Sequence, residues 1–492
     1  MVWVEDQASE RISKMDSALR IKRNSFFSFL SSFIRLFTNF LLFVGIARIY
    51  GPEAFGQYTI AQTYLILFYI LADFGFDLLL TTEIARSPNR TSELVQRFLP
   101  LKIIFALGSI ILMALIAAIS NFSPPTQLLM IVLSISIIGN SVTSFFFALF
   151  KGHEMLYEET RTSFFQNIFL LIGLFILGLL HVPLIYIALL FACSKLIGVL
   201  LIVPRTSKIV KLHTFKISLA GWRITFKQGL PFGIHLLFGT LYFQLDTILL
   251  AYWKDDISVG LYQAVMKLIV LVLVIPDVLI SALLPTLVRL HSENRERWIR
   301  LNTLLGKTLM FIGLPFSIFL FVYADQIIRL VYGSGSFIDS VPILRIFAFI
   351  LFVRFTAEIF ALILTTSQQH TTRMYIVVAV TFMNLLLNAY AIPKFGIKGA
   401  AVVSLITNAL AGILYIGAVS VKSFNPIFLF GIRQILVTGI TIIMATSFVA
   451  LGIHSLVVGL IIMLTSYLFI VYFIGYSHED RSLLFAFQKT LV

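Results

Sequence analysis

The chain has 492 residues, of which 59% are hydrophobic and only 12% are charged. Soluble globular proteins are roughly 45–50% apolar and about 25% charged, so this composition excludes a soluble enzyme, a nucleic-acid-binding domain and a disordered chain. The formal net charge of +14 is typical of a membrane protein, because cytoplasmic loops collect lysine and arginine. The partners expected from composition are therefore membrane lipids and not nucleic acid.

Long apolar stretches predict an all-α membrane protein with about fourteen transmembrane helices. A helix that crosses a bilayer needs about 20 predominantly apolar residues, whereas the strands of a membrane barrel leave short alternating segments. The predicted spans are 25–48, 55–82, 98–120, 126–149, 162–180, 184–203, 227–252, 258–284, 303–324, 341–365, 374–392, 397–420, 430–452 and 455–475.

The distribution of basic residues predicts the orientation of these spans. With both termini in the cytoplasm, 26 of the 37 lysines and arginines fall in cytoplasmic segments and 5 on the opposite side. This asymmetry is the positive-inside pattern. It predicts a multi-pass membrane protein with both termini in the cytoplasm.

Two sequence patterns recur at similar positions in the two halves of the chain. Gly56-Gln57-Tyr58 and Gly260-Leu261-Tyr262 each enter a span from the external side, and the pair His153 and Asn167 recurs as His370 and Asn384. The repeat predicts two six-helix lobes followed by two extra C-terminal helices, and transporters built from such halves bind their substrates between them. The predicted segments are a cytoplasmic N-tail (1–24), an N-lobe (25–203), a cytoplasmic linker (204–226), a C-lobe (227–420), helices 13 and 14 (430–475) and a cytoplasmic C-tail (476–492).

Cationic side chains within the spans are candidates for binding an anionic substrate, because ionisable groups at membrane depth are costly and usually functional. Arg35 is the strongest candidate, since it lies near the middle of the first span among serine, threonine and asparagine residues, and its planar fork suits phosphate. The alternative for Arg35 is a structural pair with a neighbouring carboxylate. The remaining cationic candidates are Lys195, Lys267, Arg345 and Arg354.

Three acidic residues within the spans are candidates for ion coupling. Asp73 and Asp77 are four residues apart and share a helix face, so they suit a proton or sodium site; the alternative is a cap of the helix end or a pair with Arg86. Asp246 is the third, and a structural pair between Asp246 and Lys267 is favoured over contact of Lys267 with the sugar-phosphate.

Two further features are interpreted structurally. Arg354 and Glu358 are four residues apart, which favours a local ion pair. Pro276 frees a backbone carbonyl and permits a kink, so Pro276 and Asp277 are predicted to form a gating bend.

The single cysteine, Cys193, excludes an intrachain disulfide and a cysteine-based metal site. We expect no metal site, no catalytic residues and no cofactor.

Several motifs resemble those of the polysaccharide transporter family, which includes the Wzx-type O-antigen and exopolysaccharide flippases of the multidrug/oligosaccharidyl-lipid/polysaccharide (MOP) exporter superfamily. The segment 47–58 (ARIYGPEAFGQY) resembles the first-loop signature, and 71–77 (LADFGFD) with 82–86 (TEIAR) resembles the second-span segment. The segments 245–249 and 259–262 resemble the seventh-span segment, and 396–401 (GIKGAA) resembles the entry to span twelve.

The resemblance implies a protein of the bacterial cytoplasmic (inner) membrane that transfers an undecaprenyl-diphosphate-linked oligosaccharide from the inner to the outer leaflet by alternating access. The carboxylates of the spans predict coupling to H+ or Na+. It also implies a polysaccharide polymerase and chain-length machinery as partners. The first alternative is a drug or metabolite-cation antiporter of the same superfamily, which the basic span interior disfavours. A membrane-embedded polysaccharide polymerase or ligase would need a sizeable external loop, and a murein-precursor flippase fits the loop motifs less well.

Overall fold

The computed structural model describes residues 2–207, 209–210, 222–333, 335–424, 432–450, 465, 467–468, 470–477 and 480–481, and these residues are almost entirely α-helical with no β-strand. Ten of the helices are long and apolar enough to cross a membrane. The predicted all-α membrane fold is therefore confirmed, although the count of fourteen spans is not.

Fourteen α-helices follow one another along the described chain. They are α1 (Val2–Asp73), α2 (Phe76–Arg86), α3 (Thr91–Ile119), α4 (Pro124–Ser134), α5 (Ser136–Gly152), α6 (Leu156–Leu179), α7 (Leu184–Thr206), α8 (Trp222–Trp253), α9 (Asp256–Glu293), α10 (Arg295–Val322), α11 (Ala324–Tyr332), α12 (Val341–Thr366), α13 (His370–Lys422) and α14 (Ile432–Ala450).

Two helices continue through a glycine that breaks the helical dihedral angles. Gly51 in α1 has φ +79°, and Gly396 in α13 has φ +59°. Positive φ is accessible to glycine without strain, so the chain turns there while the flanking helical hydrogen bonds persist. The helix α13 thus contains the predicted spans 374–392 and 397–420, and α1 contains the span 25–48 and most of the span 55–82.

Other differences from the predicted spans lie at their ends. The N-tail is not a separate loop, because α1 begins at Val2. The loop predicted near 285–307 is helical on both sides of Asn294, whose side chain accepts a hydrogen bond from the Arg297 amide at 2.9 Å and caps α10. Most of the predicted fourteenth span lies outside the described residues.

The chain divides into two compact units, residues 1–244 (unit 1) and 245–492 (unit 2). The boundary falls inside α8, so the first half of this helix belongs to unit 1. Unit 1 contains an aromatic and aliphatic core that includes Phe76, Phe98 and Phe145. In unit 2 a cluster that includes Phe311, Val437 and Tyr467 joins α10 and α14 to the C-terminal segment.

Candidate functional site

Arg35 lies in the first unit, where α1 meets α6. Its guanidinium donates to Glu159 Oε1 at 2.9 Å and to Ser163 Oγ at 3.3 Å. The Arg35 side chain is 38% exposed, whereas that of Glu159 is only 3% exposed. The carboxylate therefore lies behind the guanidinium, which keeps an accessible face.

Two more cations lie close to the Arg35–Glu159 pair. Lys151 Nζ, on a side chain that is 43% exposed, lies 3.3 Å from Glu159 Oε2. Lys195 lies within electrostatic range of Arg35, and its ammonium is 4.8 Å from the centre of the Phe191 ring. We call Arg35, Lys151, Lys195 and Glu159 the cationic cluster.

The cationic cluster has more positive than negative charge. Arg35 and Lys151 both pair with Glu159, Lys195 lies near Arg35, and the neighbouring Glu158 is paired with Arg205 at 3.5 Å. A positive excess at membrane depth is unfavourable unless an anion or water compensates it. The arrangement is therefore suited to binding an anion of about two negative charges, a value that follows from counting these side chains as fully ionised.

Asp73 and Asp77 form a second charged group in unit 1, around a residue that we had not selected. Lys102 Nζ of α3 lies 2.7 Å from Asp73 Oδ1 and also contacts Asp77 Oδ1. The Lys102 side chain is only 1% exposed, and Ser144 of α5 accepts a third hydrogen bond from it. We call Asp73, Asp77 and Lys102 the carboxylate–lysine triad.

Arg86 is the alternative partner that the sequence suggests for Asp73 and Asp77. Arg86 pairs with Glu83, three residues earlier on α2. The carboxylates themselves lie on either side of the turn between α1 and α2, and the Asp77 amide donates to Asp73 Oδ1 at 3.3 Å. The pairing of Asp73 or Asp77 with Arg86 is therefore wrong.

Asp246 of α8 lies in unit 2 among neutral hydrogen-bond donors. Tyr262 donates to Asp246 Oδ2 at 2.7 Å, Ser404 donates to the same oxygen, and Asn388 Nδ2 donates to Oδ1 at 2.8 Å. Asn388 also donates to Asn384 Oδ1 at 3.0 Å. These residues, from α8, α9 and α13, are called the Asp246 site.

The favoured pairing of Asp246 with Lys267 is wrong, because the Asp246 carboxylate is occupied by the hydroxyl and amide donors. The buried Asn388 Oδ1 atom has no hydrogen-bond partner in the described part of the chain. An orphaned buried oxygen needs an explanation such as an ion or water. Carboxylate, amide and hydroxyl oxygens are the ligands of hard cations, so this donor set fits one.

Glu358 pairs with Arg373 of α13 at 3.9 Å. The local pair expected between Arg354 and Glu358 stays a prediction. Arg354 and Glu358 both lie within electrostatic range of Asp277 on α9.

The helix α9 runs through the buried Pro276 without leaving helical conformation, and Asp277 is exposed. The gating bend at Pro276 and Asp277 therefore stays a prediction.

Arg345 is exposed, and its guanidinium is 6.0 Å from the centre of the Phe321 ring. Lys267 lies part-buried on α9, in unit 2. Their assignment to a substrate cavity stays a prediction.

Glu159, Lys151 and Lys102 are the charged residues of these sites that sequence reasoning missed, and Asn388 and Ser404 are neutral ones. Glu159 and Lys151 fell in a predicted cytoplasmic loop, and their role depends on α5 and α6 extending to Gly152 and from Leu156. Lys102 lies inside a predicted span, so the rule that intramembrane charges are functional or paired could have identified it.

These helices and buried ionic groups define a polytopic α-helical membrane protein with ionisable groups inside its spans, an arrangement typical of transporters. A family model described as "Polysaccharide biosynthesis protein" matches residues 21–291. The chain therefore belongs to the polysaccharide biosynthesis protein family, which confirms the resemblance drawn from its motifs. Among curated protein sequences, none matches the chain significantly.

Solved structures of MOP-type transporters are similar in fold. The lipid II flippase MurJ in an inward closed conformation has a TM-score of 0.74 at 17% identity, covering 90% of this chain and 97% of its own. A multidrug resistance MATE transporter of the MOP superfamily in the inward-facing conformation has a TM-score of 0.63 at 14% identity, covering 78% and 95%.

A third similar structure is a MOP superfamily transporter from Pyrococcus furiosus. It has a TM-score of 0.58 at 15% identity and covers 82% of this chain and 95% of its own. Its description states that the reverse polarity of its binding pocket suggests a different function. Similarity at these identities establishes the MurJ- and MATE-like fold of the present chain.

Proposed function

We propose that this protein moves an undecaprenyl-diphosphate-linked oligosaccharide from the inner to the outer leaflet of the bacterial cytoplasmic membrane by alternating access. The observation that supports this most is the cationic cluster, in which Arg35 and Lys151 share the buried carboxylate of Glu159 and Lys195 lies near Arg35. A diphosphate diester is a doubly charged anion, so it matches the positive excess. The polysaccharide family and the flippase-like fold support the same substrate class.

Arg35 has the central role in this proposal. Its guanidinium can form two parallel hydrogen bonds to phosphate oxygens, and Ser31, Ser32 and Ser163 provide polar surroundings for it. Moving an anion through hydrocarbon without such partners is prohibitively costly. A cationic drug would be repelled at the same place, which disfavours the antiporter alternative.

The experiment is a flipping assay in vesicles that contain purified protein and a polyprenyl-diphosphate-linked oligosaccharide, with a sugar-cleaving enzyme added outside. Arg35→Ala should abolish flipping while the protein stays in the membrane, and Arg35→Lys should restore it only partly, because lysine lacks the planar fork. Glu293→Gln, at an exposed position near the end of α9, is the matched control. Full flipping by Arg35→Ala would exclude Arg35 from the mechanism.

We infer further that transport is coupled to a monovalent cation that enters at the Asp246 site. The Asp246 carboxylate and the orphaned Asn388 oxygen are within one hydrogen-bonded group, and both prefer a hard cation as a partner. Sodium fits this all-oxygen donor set. Flipping that is unchanged by removal of sodium and by ionophores would contradict the coupling.

A further inference from the structure

The turn between α1 and α2 has an unusual backbone. Phe74 has φ +47° and Gly75 has φ +79°. A positive φ is strained for a phenylalanine and persists only when its surroundings hold it. Contacts within unit 1 must therefore hold the turn in this conformation.

One restraint is the first half of α8. The Phe74 ring stacks on the Phe226 ring, with centroids 4.8 Å apart and planes 10° apart, and Phe226 also stacks on Phe105 of α3. A Cβ atom at Gly75 would lie 2.5 Å from Phe232 Cβ, and one at Gly233 would lie 3.1 Å from the Phe74 ring. Glycines on both sides thus permit close packing of α8 on the turn.

The other restraint is the carboxylate–lysine triad. Asp73 immediately precedes Phe74, and Lys102 joins Asp73 to Asp77 across the turn. The triad contains one carboxylate more than its lysine neutralises. The other groups that face it are the Tyr69 and Ser144 hydroxyls.

The position of Lys102 decides which ligand can neutralise the excess charge. Its ammonium occupies the place between the two carboxylates where a metal cation would bind. A proton needs no such place, because it adds to a carboxylate oxygen. The added proton replaces one ammonium–carboxylate ion pair with a weaker hydrogen bond between the ammonium and a neutral carboxyl group.

We propose that the carboxylate–lysine triad binds one proton and that this proton releases the first half of α8 from the α1–α2 turn. The proton adds to one oxygen of Asp73 or Asp77, and the net charge of the triad changes from −1 to zero. Lys102 then holds the turn by one ionic contact, Phe74 relaxes from its strained conformation, and the stack with Phe226 opens. This inference rests on the proposal that the chain is a transporter, but not on the identity of its cargo.

Thr225 provides a probe for this release. It is completely buried and accepts a hydrogen bond from Arg97 of α3. A cysteine at this position, in a Cys193→Ser background of the full-length protein in detergent, should react with a maleimide only when α8 leaves the turn. No glycan is needed, so the outcome is independent of the flipping assay.

We expect the labelling rate of Thr225→Cys to rise by about tenfold when the pH falls from about 8 to about 5, because one ion pair of the triad is replaced by a weaker hydrogen bond. Asp77→Asn mimics the protonated triad, so labelling should be fast and independent of pH. Asp339→Asn, at an exposed carboxylate outside the spans, should leave the wild-type pH dependence unchanged.

Phe226→Leu tests the stack without changing any charge. It should raise the labelling rate at both pH values, whether or not Asp77→Asn folds. Labelling of the otherwise unmodified protein that does not change with pH would overturn the proposal. So would an Asp77→Asn variant that keeps the wild-type pH dependence.

Discussion

Units 1 and 2 each place carboxylates inside membrane-spanning helices, but they surround these carboxylates differently. In unit 1, Lys102 bridges Asp73 and Asp77. In unit 2, Asp246 is surrounded by hydroxyl and amide donors and has no ionic partner among the described residues. A site already filled by an ammonium can accept only a proton, whereas a site of neutral oxygen donors can accept a metal cation.

The largest expected effect in this comparison comes from removing the cation of the triad. Lys102→Met should lower the free energy of unfolding by about 3–5 kcal/mol, because two buried carboxylates lose their only cation. Thermal unfolding of the purified protein in detergent measures the change. The triple variant Lys102→Met, Asp73→Asn, Asp77→Asn should recover most of the loss, and a triple variant no more stable than Lys102→Met would show that Lys102 acts through packing.

Asp246→Asn should affect sodium binding and flipping rather than the stability of the fold. The fold should persist, because an asparagine side chain can still hydrogen-bond to its neutral neighbours, but sodium should no longer stabilise the protein. Flipping should decline by at least about tenfold if the cation contributes a typical coupling free energy. Thermal unfolding with and without sodium measures both the stability of the variant and its stabilisation by sodium. Sodium stabilisation that survives in Asp246→Asn would place the cation elsewhere.

Unit 2 does contain an ion pair outside the Asp246 site, between Lys307 and Asp480 at 2.9 Å. Burial alone would raise the pKa of the Asp480 carboxyl, but donors from Lys307 and Ser477 lower this pKa overall. A lowered folded-state pKa contributes stability above the unfolded-state pKa, and this stability is lost as the pH falls through the folded-state value.

Asp480→Asn should therefore lower the free energy of unfolding by about 2 kcal/mol at neutral pH and by less at acid pH. Unfolding curves at several pH values measure the difference between the variant and the wild type. A difference that grows toward acid pH would contradict the assigned sign.

The smallest effect is expected from Tyr262→Phe, which removes one of the donors to Asp246. Because Ser404 and Asn388 still donate, the free energy of unfolding should fall by only about 1 kcal/mol. Sodium affinity should weaken but remain measurable in the same thermal assay. A variant as defective as Asp246→Asn would show that the Tyr262 hydroxyl is itself essential for the cation.

Hydropathy and charge counts predicted an all-α membrane protein and identified Arg35, Asp73, Asp77 and Asp246 as candidate functional residues within its spans, while the family came from the resemblance of its motifs. These predictions depend on local sequence, because each span must satisfy its own backbone hydrogen bonds within the bilayer.

Which charges meet was decided only by the tertiary structure. Arg35 pairs with Glu159, which is 124 residues away, and Glu358 of α12 pairs with Arg373 of α13. Pairing depends on which helix faces contact each other, and spacing along one helix does not contain that information. The same reason explains why Lys102, on a third helix, became visible as the partner of Asp73 and Asp77 only in the folded chain.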